Sequence, residues 1–207
     1  MAFNKAKLQS DFEAVFASMT DGNEDIFPNG ISAAVVTFVS GGVVSTIDAG
    51  TVSGGTYAGS GTGKLTVTAS ACAAIIKTAC TTMKTMTSGG DDYLAEEMGK
   101  GFKKMADDGV VTTTVTGTLT PPSPATPVFP YGGAAKGTIS CSETSLVTKL
   151  KALFQKMYNQ REQEGFDGNK EFAKELADGI NSFYASGAIS TDGQGNIAGS
   201  SGSGAIS

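Results

Sequence analysis

Residues 59–64, GSGTGK, carry the glycines and the lysine of a phosphate-binding loop. Such a loop needs G-x-x-x-x-G-K-[ST] between a strand and a helix, so that backbone N–H groups and the lysine cradle phosphate. Here Ala58 stands at the first glycine position and Leu65 at the hydroxyl position, and the LTVT that follows reads as strand. Residues 21–25, DGNED, put side-chain oxygens at positions 1, 3 and 5 of a calcium loop. The turn glycine of that loop is replaced by Ile26 and its bidentate glutamate by Ser32, so a solvated acidic turn between helices is the better reading. Asp91, Glu96 and Glu97 fall at the start of a predicted helix, where acidic side chains suit the macrodipole without further purpose. Asp107 and Asp108 lie in a turn, and nothing around them suggests a cleft in which paired carboxylates could do acid–base work.

The chain has no histidine, which removes the usual Ser-His-Asp and Cys-His arrangements and imidazole metal ligands. Its three cysteines, Cys72, Cys80 and Cys141, form no CxxC motif, and an odd count is a poor disulfide framework. They read as small buried thiols in a reducing compartment. The expectation is a protein without catalytic, metal or cofactor residues, and so not an enzyme.

The elements that would carry these residues recur three times. Leu8, Phe12, Val15, Phe16 and Met19 mark one face of a helix, and Leu146, Leu150, Leu153, Phe154 and Met157 repeat that spacing without a gap. Cys72, Ile76, Ala79, Cys80 and Met83 hold the same places with smaller side chains. A second helix follows each, with apolar faces Ile31, Val35, Phe38; Leu94, Met98, Phe102, Met105; and Phe172, Leu176, Ile180, Phe183. A small residue, Ala34, Gly101 or Gly179, precedes the middle position each time. Glycine within a helix costs about 1 kcal/mol relative to alanine, so its recurrence predicts close approach of a partner helix. Gly42, Gly109 and Gly187 then stand as C′ glycines, where φ > 0 is wanted.

After these glycines come VVST, VVTT and AIST, read as short strands, then variable Gly- or Pro-rich loops. Closing strands follow in GKLT at 63–66, GTIS at 137–140 and GAIS at 204–207. The predicted fold class is α+β: three tandem helix-helix-strand-loop-strand repeats, residues 1–66, 67–140 and 141–207. A unit this small buries little apolar surface by itself, so the three pack together, either around a pseudo-threefold axis or in a row. The loop at 120–133, TPPSPATPVFPYGG, holds five of the six prolines. It reads either as a stiff arm presenting Val128, Phe129 and Tyr131 to a neighbour or as a solvated crossover loop. The terminal Ile206 is expected to be ordered and paired, with residues 188–190 or with a neighbouring subunit.

Composition bounds the partners. Of 207 residues, 40% are apolar, enough for a core. The formal charge of −5 gives no general grip on nucleic acid or anionic membrane. The longest apolar run, residues 31–44, is broken by Ser, Thr and two Gly and falls short of the ~20 residues of a spanning helix. Asp11 and Glu13 occupy the stretch where a signal peptide would be apolar.

An amphipathic helix pair, then an SGTV-like strand, then a Gly/Ser/Thr-rich strand running to the C-terminus resembles the small virion proteins of tailed bacteriophages. GGVVST with GTGKLT, DGVVTT with AKGTIS, and SGAIST with GSGAIS carry that resemblance. It covers most of the chain and transfers no catalytic or ligand motif. It implies a structural subunit of a tail, baseplate or neck, assembled in the host cytoplasm. Its partners would be other virion structural proteins and copies of itself, with no nucleic acid, membrane or small-molecule substrate. Val128, Phe129, Tyr131 and Ile206 would be contact residues, and unpaired terminal strands would add onto a neighbour's sheet. A capsid decoration protein and a cell-surface or secreted adhesin module are the alternatives.

Overall fold

The computed structural model describes residues 3–20 and 23–207. Its elements run α1 Lys5–Ser18, α2 Ile26–Ser40, β1 Val44–Val52, β2 Gly55–Thr66, α3 Ser70–Met83, α4 Gly90–Asp107, β3 Val110–Thr120, β4 Phe129–Ser140, α5 Thr144–Gln160, α6 Gly168–Ala185, β5 Ala188–Gln194, a short 3-10 turn Gly195–Ile197, and β6 Ser200–Ile206. Each of the stretches 1–66, 67–140 and 141–207 therefore holds two helices followed by two strands.

The strands form a closed antiparallel barrel in chain order, β6 returning onto β1. The helices form a second closed circuit, each packing on the next and α6 on α1. A row of units would leave its two ends apart. Here the first and last helices and the first and last strands meet.

The helix faces follow the apolar spacing except at Met19, which lies past the end of α1 and is exposed. Leu8, Phe12, Phe16, Cys72, Ile76, Ala79, Leu146, Leu150 and Leu153 are buried, as is every position named on the second helices. A Cβ on Gly101 would sit 3.3 Å from Cys72 Sγ of α3, and one on Gly179 would sit 2.9 Å from Leu146 Cδ1 of α5. In α4 and α6 the small position is thus where the second helix meets its partner. Asn4 and Asp167 cap α1 and α6 by accepting from the N–H groups of Lys7 and Lys170. One core joins these helices to the near end of the barrel, through Val44, Leu65, Val111, Ile139, Ile189 and Ile206.

Three expectations need correction. Gly42, Gly109 and Gly187 do not adopt positive φ; among the described residues only Gly54, Gly55, Gly89, Gly165, Gly195 and Gly199 do. Their reason is space. A Cβ on Gly42 would lie 2.5 Å from Phe3 Cε1 and 3.1 Å from Ile206, one on Gly109 2.8 Å from the Ala106 carbonyl and 2.9 Å from Leu65, and one on Gly187 2.6 Å from Ile139. Each glycine admits the closing residue of another stretch: 42 receives the third, 109 the first, 187 the second.

The stretches read as variable loops are mostly strand. β1 and β2 are joined only by Ser53 and Gly54, and β5 and β6 by the turn around Gly195–Ile197. The Pro-rich arm is shorter than 120–133, because β4 already begins at Phe129. Pro130 is tolerated there because pairing with β5 starts only at Ala134.

The terminal strand is not an open edge. β6 lies between β5 and β1, with Ile189 opposite Gly204 and Val44 opposite Ile206. Val43 and Ser207 exchange both backbone hydrogen bonds, at 2.8 and 3.0 Å. The partner of Ile206 is therefore Val44, and closure leaves β6 no free ladder for a neighbour's strand.

Candidate functional site

Alternation along the strands sends one set of side chains into the barrel. On β2 the inward set is Tyr57, Gly59, Gly61, Gly63 and Leu65, so GSGTGK is a stretch of strand with its glycines inside and Ser60, Thr62 and Lys64 outside. No strand-to-helix phosphate loop exists there. In DGNED, Asp21 and Gly22 lie outside the described residues. Glu24 pairs with Lys84, and Asp25 with Lys77 at 2.7 Å. Asp107 ends α4 and pairs with Lys103 at 2.6 Å.

Behind the apolar layer that faces the helices, the inward residues turn polar. Thr46, Thr113 and Thr191, the last residues of VVST, VVTT and AIST, are all buried. Register explains how they fit. Thr46 is flanked by Gly61 and Gly204, Thr113 by Gly63 and Ala135, and Thr191 by Gly137 and Gly202. Next along β1 comes Asp48, flanked by Gly59 and Gly202. A Cβ on Gly202 would collide with Asp48 Oδ1, and one on Gly61 would collide with Thr46 Oγ1. At Gly61 and Gly202 the absent side chains make the room that the hydroxyls of Thr46 and Thr191 and the carboxyl occupy.

Asp48 is fully buried, and among the described residues it is the one Asp, Glu, Lys or Arg in the buried class. Thr46 Oγ1 donates to its Oδ2 at 2.6 Å and Thr191 Oγ1 to its Oδ1 at 3.1 Å. The buried hydroxyls of Thr113 and Tyr57 have no hydrogen-bond partner among the described residues. The Tyr57 hydroxyl fills the place where a Cβ on Gly59 would stand, and Gly59 is directly opposite Asp48. Burial pushes the Tyr57 phenol above its ordinary range, and the nearby Asp48 charge adds to this.

The far end of the barrel is closed by a second apolar cluster: Val52, Tyr57, Val115, Leu119, Ala135 and Ile197, with Tyr131 packed against it. Three of the residues expected to make contacts stand at or beside this end. Tyr131 is built into it: its ring meets Tyr57 and Phe129 edge-on, and its hydroxyl donates to the Asn196 carbonyl at 3.0 Å. Val128 and Phe129 are exposed, at 55% and 40%. The fourth, Ile206, lies in the core at the opposite end and offers no surface.

The cysteines are free thiols. Burial raises the Cys72 pKa to about 11 and the Cys141 pKa to about 12. Half-buried Cys80 is raised for the same reason, with Lys84 opposing. Among the described residues, no group of three Cys, Asp or Glu side chains is placed to hold a metal, and no helix is long and apolar enough to cross a membrane. The polar layer escaped the sequence reading because only its threonines recur. Asp48 has no counterpart, since Val115 and Gly193 follow Thr113 and Thr191 at the same distance. The signal that could have revealed it was the every-second-residue glycine of 59–63 and 202–204.

Compared with protein-family models, curated proteins and solved structures, the chain matches none.

Proposed function

We propose that this chain is a structural subunit of a tailed-bacteriophage particle, in its tail, baseplate or neck, acting through contacts with other virion proteins and with copies of itself. One observation carries the reading. Three successive helix-helix-strand-strand stretches close a single ring, in which each stretch lays its closing residue on the glycine of another. Read as three tandem repeats about a pseudo-threefold axis, the chain is the covalent counterpart of a trimer of small subunits. Such a ring presents near-equivalent surfaces to a threefold or sixfold partner.

Contacts in this reading are made by faces, not by strand addition. The exposed Val128 and Phe129, beside the closed far end, are the contact arm. Catalysis has no part in it.

The test is compositional. Particles produced with and without this chain are purified and compared by mass spectrometry and negative-stain imaging. The chain is expected in the particle at the low copy number of a threefold or sixfold site, and its loss is expected to halt assembly at the tail or neck. Complete particles that contain none of it would refute the proposal. High copy number spread over the shell would instead identify a decoration protein.

A further inference from the structure

The buried layer inside the barrel has an unbalanced chemistry. Among the described residues, Asp48 contributes a carboxyl with no Lys or Arg beside it, since none of those residues is buried and none pairs with it. Buried charges are ordinarily paired or bound to metal, because an isolated one loses its hydration without return. Around it stand oxygens. Thr46 and Thr191 spend their protons on Asp48, which leaves their lone pairs available. Thr113 Oγ1 has no hydrogen-bond partner among the described residues, and its Cβ lies 3.2 Å from the same point beside Gly61 that Thr46 Oγ1 crowds and that Asp48 Oδ2 approaches to 3.1 Å. The layer thus offers many acceptors and no positive charge.

We propose that this layer binds one alkali-metal cation, of Na⁺ or K⁺ size, through the Asp48 carboxylate and the hydroxyl oxygens of Thr46, Thr113 and Thr191. The donor set selects the class. All ligands are hard oxygens, which excludes a thiophilic or imidazole-seeking metal. A single carboxylate balances a single charge, whereas calcium seats gather several carboxylates and carbonyls, and magnesium keeps much of its water. A water molecule would satisfy Thr113 but bring no positive charge to Asp48. Both ends of the barrel are closed, by the helix-facing core and by the Tyr57 cluster, so the ion is enclosed as the chain folds.

The full chain is unfolded and refolded in rubidium chloride, or in choline chloride as control, and gel-filtered into choline chloride. Rubidium is then counted by mass spectrometry. The expected result is one Rb⁺ retained per chain, none for Asp48→Asn, and a melting temperature that differs among lithium, sodium, potassium, rubidium and choline chlorides at equal ionic strength. If Asp48→Asn does not fold, Thr113→Val serves instead and should retain less Rb⁺. An anomalous peak from Rb⁺ within reach of Asp48 and Thr191 in crystals would place the ion directly. No retained rubidium and equal melting in every chloride would overturn the proposal, as would displacement of the rubidium by Ca²⁺ with a further rise in melting temperature.

Discussion

Replacing Gly187 by alanine tests what the three strand-entry glycines are for. The added Cβ would stand 2.6 Å from Ile139 Cδ1, 2.7 Å from Cys141 Sγ and 2.8 Å from Ile139 Cγ1. Carbon atoms rest at about 3.5–4.0 Å, so the overlap approaches ~1 Å against two buried side chains. Overpacking of that kind costs about 1–3 kcal/mol. Gly187 does not have positive φ, so no left-handed strain adds to it. The loss of unfolded-chain entropy acts in the other direction, by about 0.4–1 kcal/mol. The net expectation is destabilisation. At about 2–4 °C per kcal/mol for a chain of this size, the midpoint falls by a few degrees.

The cause is isolated by a double-mutant cycle with Ile139→Ala, read by urea unfolding. Ile139→Ala alone removes a side chain that is 2% exposed and should cost about 2–5 kcal/mol. It also clears both Ile139 atoms that the methyl added at position 187 would strike, and it leaves the Cys141 thiol room to move. Gly187→Ala should therefore cost less in the Ile139→Ala background, by the ~0.5–3 kcal/mol typical of contacting pairs. Strict additivity, or a Gly187→Ala chain more stable than the parent, would show that the closing residue is not what the glycine accommodates.

Two further outcomes follow from the same geometry. Deleting residues 204–207 removes Ile206 from the core together with its pairing to Val44 and the Val43–Ser207 exchange. It should lower the urea midpoint far more than Ile47→Ala, whose side chain on the outer face of β1 is 76% exposed and whose loss should stay within about 0.5 kcal/mol. A truncated chain that melts normally would refute the closure of β6 on β1. The thiols should react with a water-soluble disulfide reagent in the order Cys80 first, then Cys72 and Cys141 only on unfolding. The fold holds the protons of Cys72 and Cys141 to about 11 and about 12 against an ordinary 9.0. Their contribution is thus intact below the ordinary thiol value and lost as the pH rises through the folded ones, so stability should decline there, and less steeply in Cys141→Ala. A flat profile would count against burial of these groups.

The helices were legible because their evidence is redundant. Leu146, Leu150 and Leu153 fix a face by spacing alone, and the face at Cys72 and Ile76, with its smaller side chains, is buried as well, with Gly101 facing Cys72. The strands were half legible. VVST and GTIS carry β-branched residues that announce themselves. The stretches between them alternate glycine with serine and threonine, and glycine is poor in strands. Such a stretch reads as loop unless the period of two is noticed. GSGTGK shows why local motif reading fails here: its glycines are spaced by the pleat, not by a phosphate. Pairing order was beyond any single stretch, because which strand lies beside β6 depends on ring closure.

Closure also changes what association can use. An open six-stranded sheet would offer two ladders of unpaired N–H and C=O groups, and a terminal β6 would be a natural donor to a neighbour. Joining β6 to β1 removes both edges at once. The glycine-rich interior goes with this. Six short strands curl around a narrow space, and inward side chains on every strand would collide. At the threonine level the pairing partners are Gly61 and Gly204, Gly63 and Ala135, Gly137 and Gly202. At Gly61 and Gly202 the missing side chain leaves room for Thr46, Thr191 and Asp48, and at Gly63, Gly137 and Gly204 a Cβ would strike the neighbouring strand's backbone carbonyl. Alanine at Gly61 would press directly on Thr46 Oγ1. The glycines that made the chain look like linker are thus what allows the barrel to close around a polar interior. Any partner must then be met on the outer faces, where the side chains removed from the inside have no bearing.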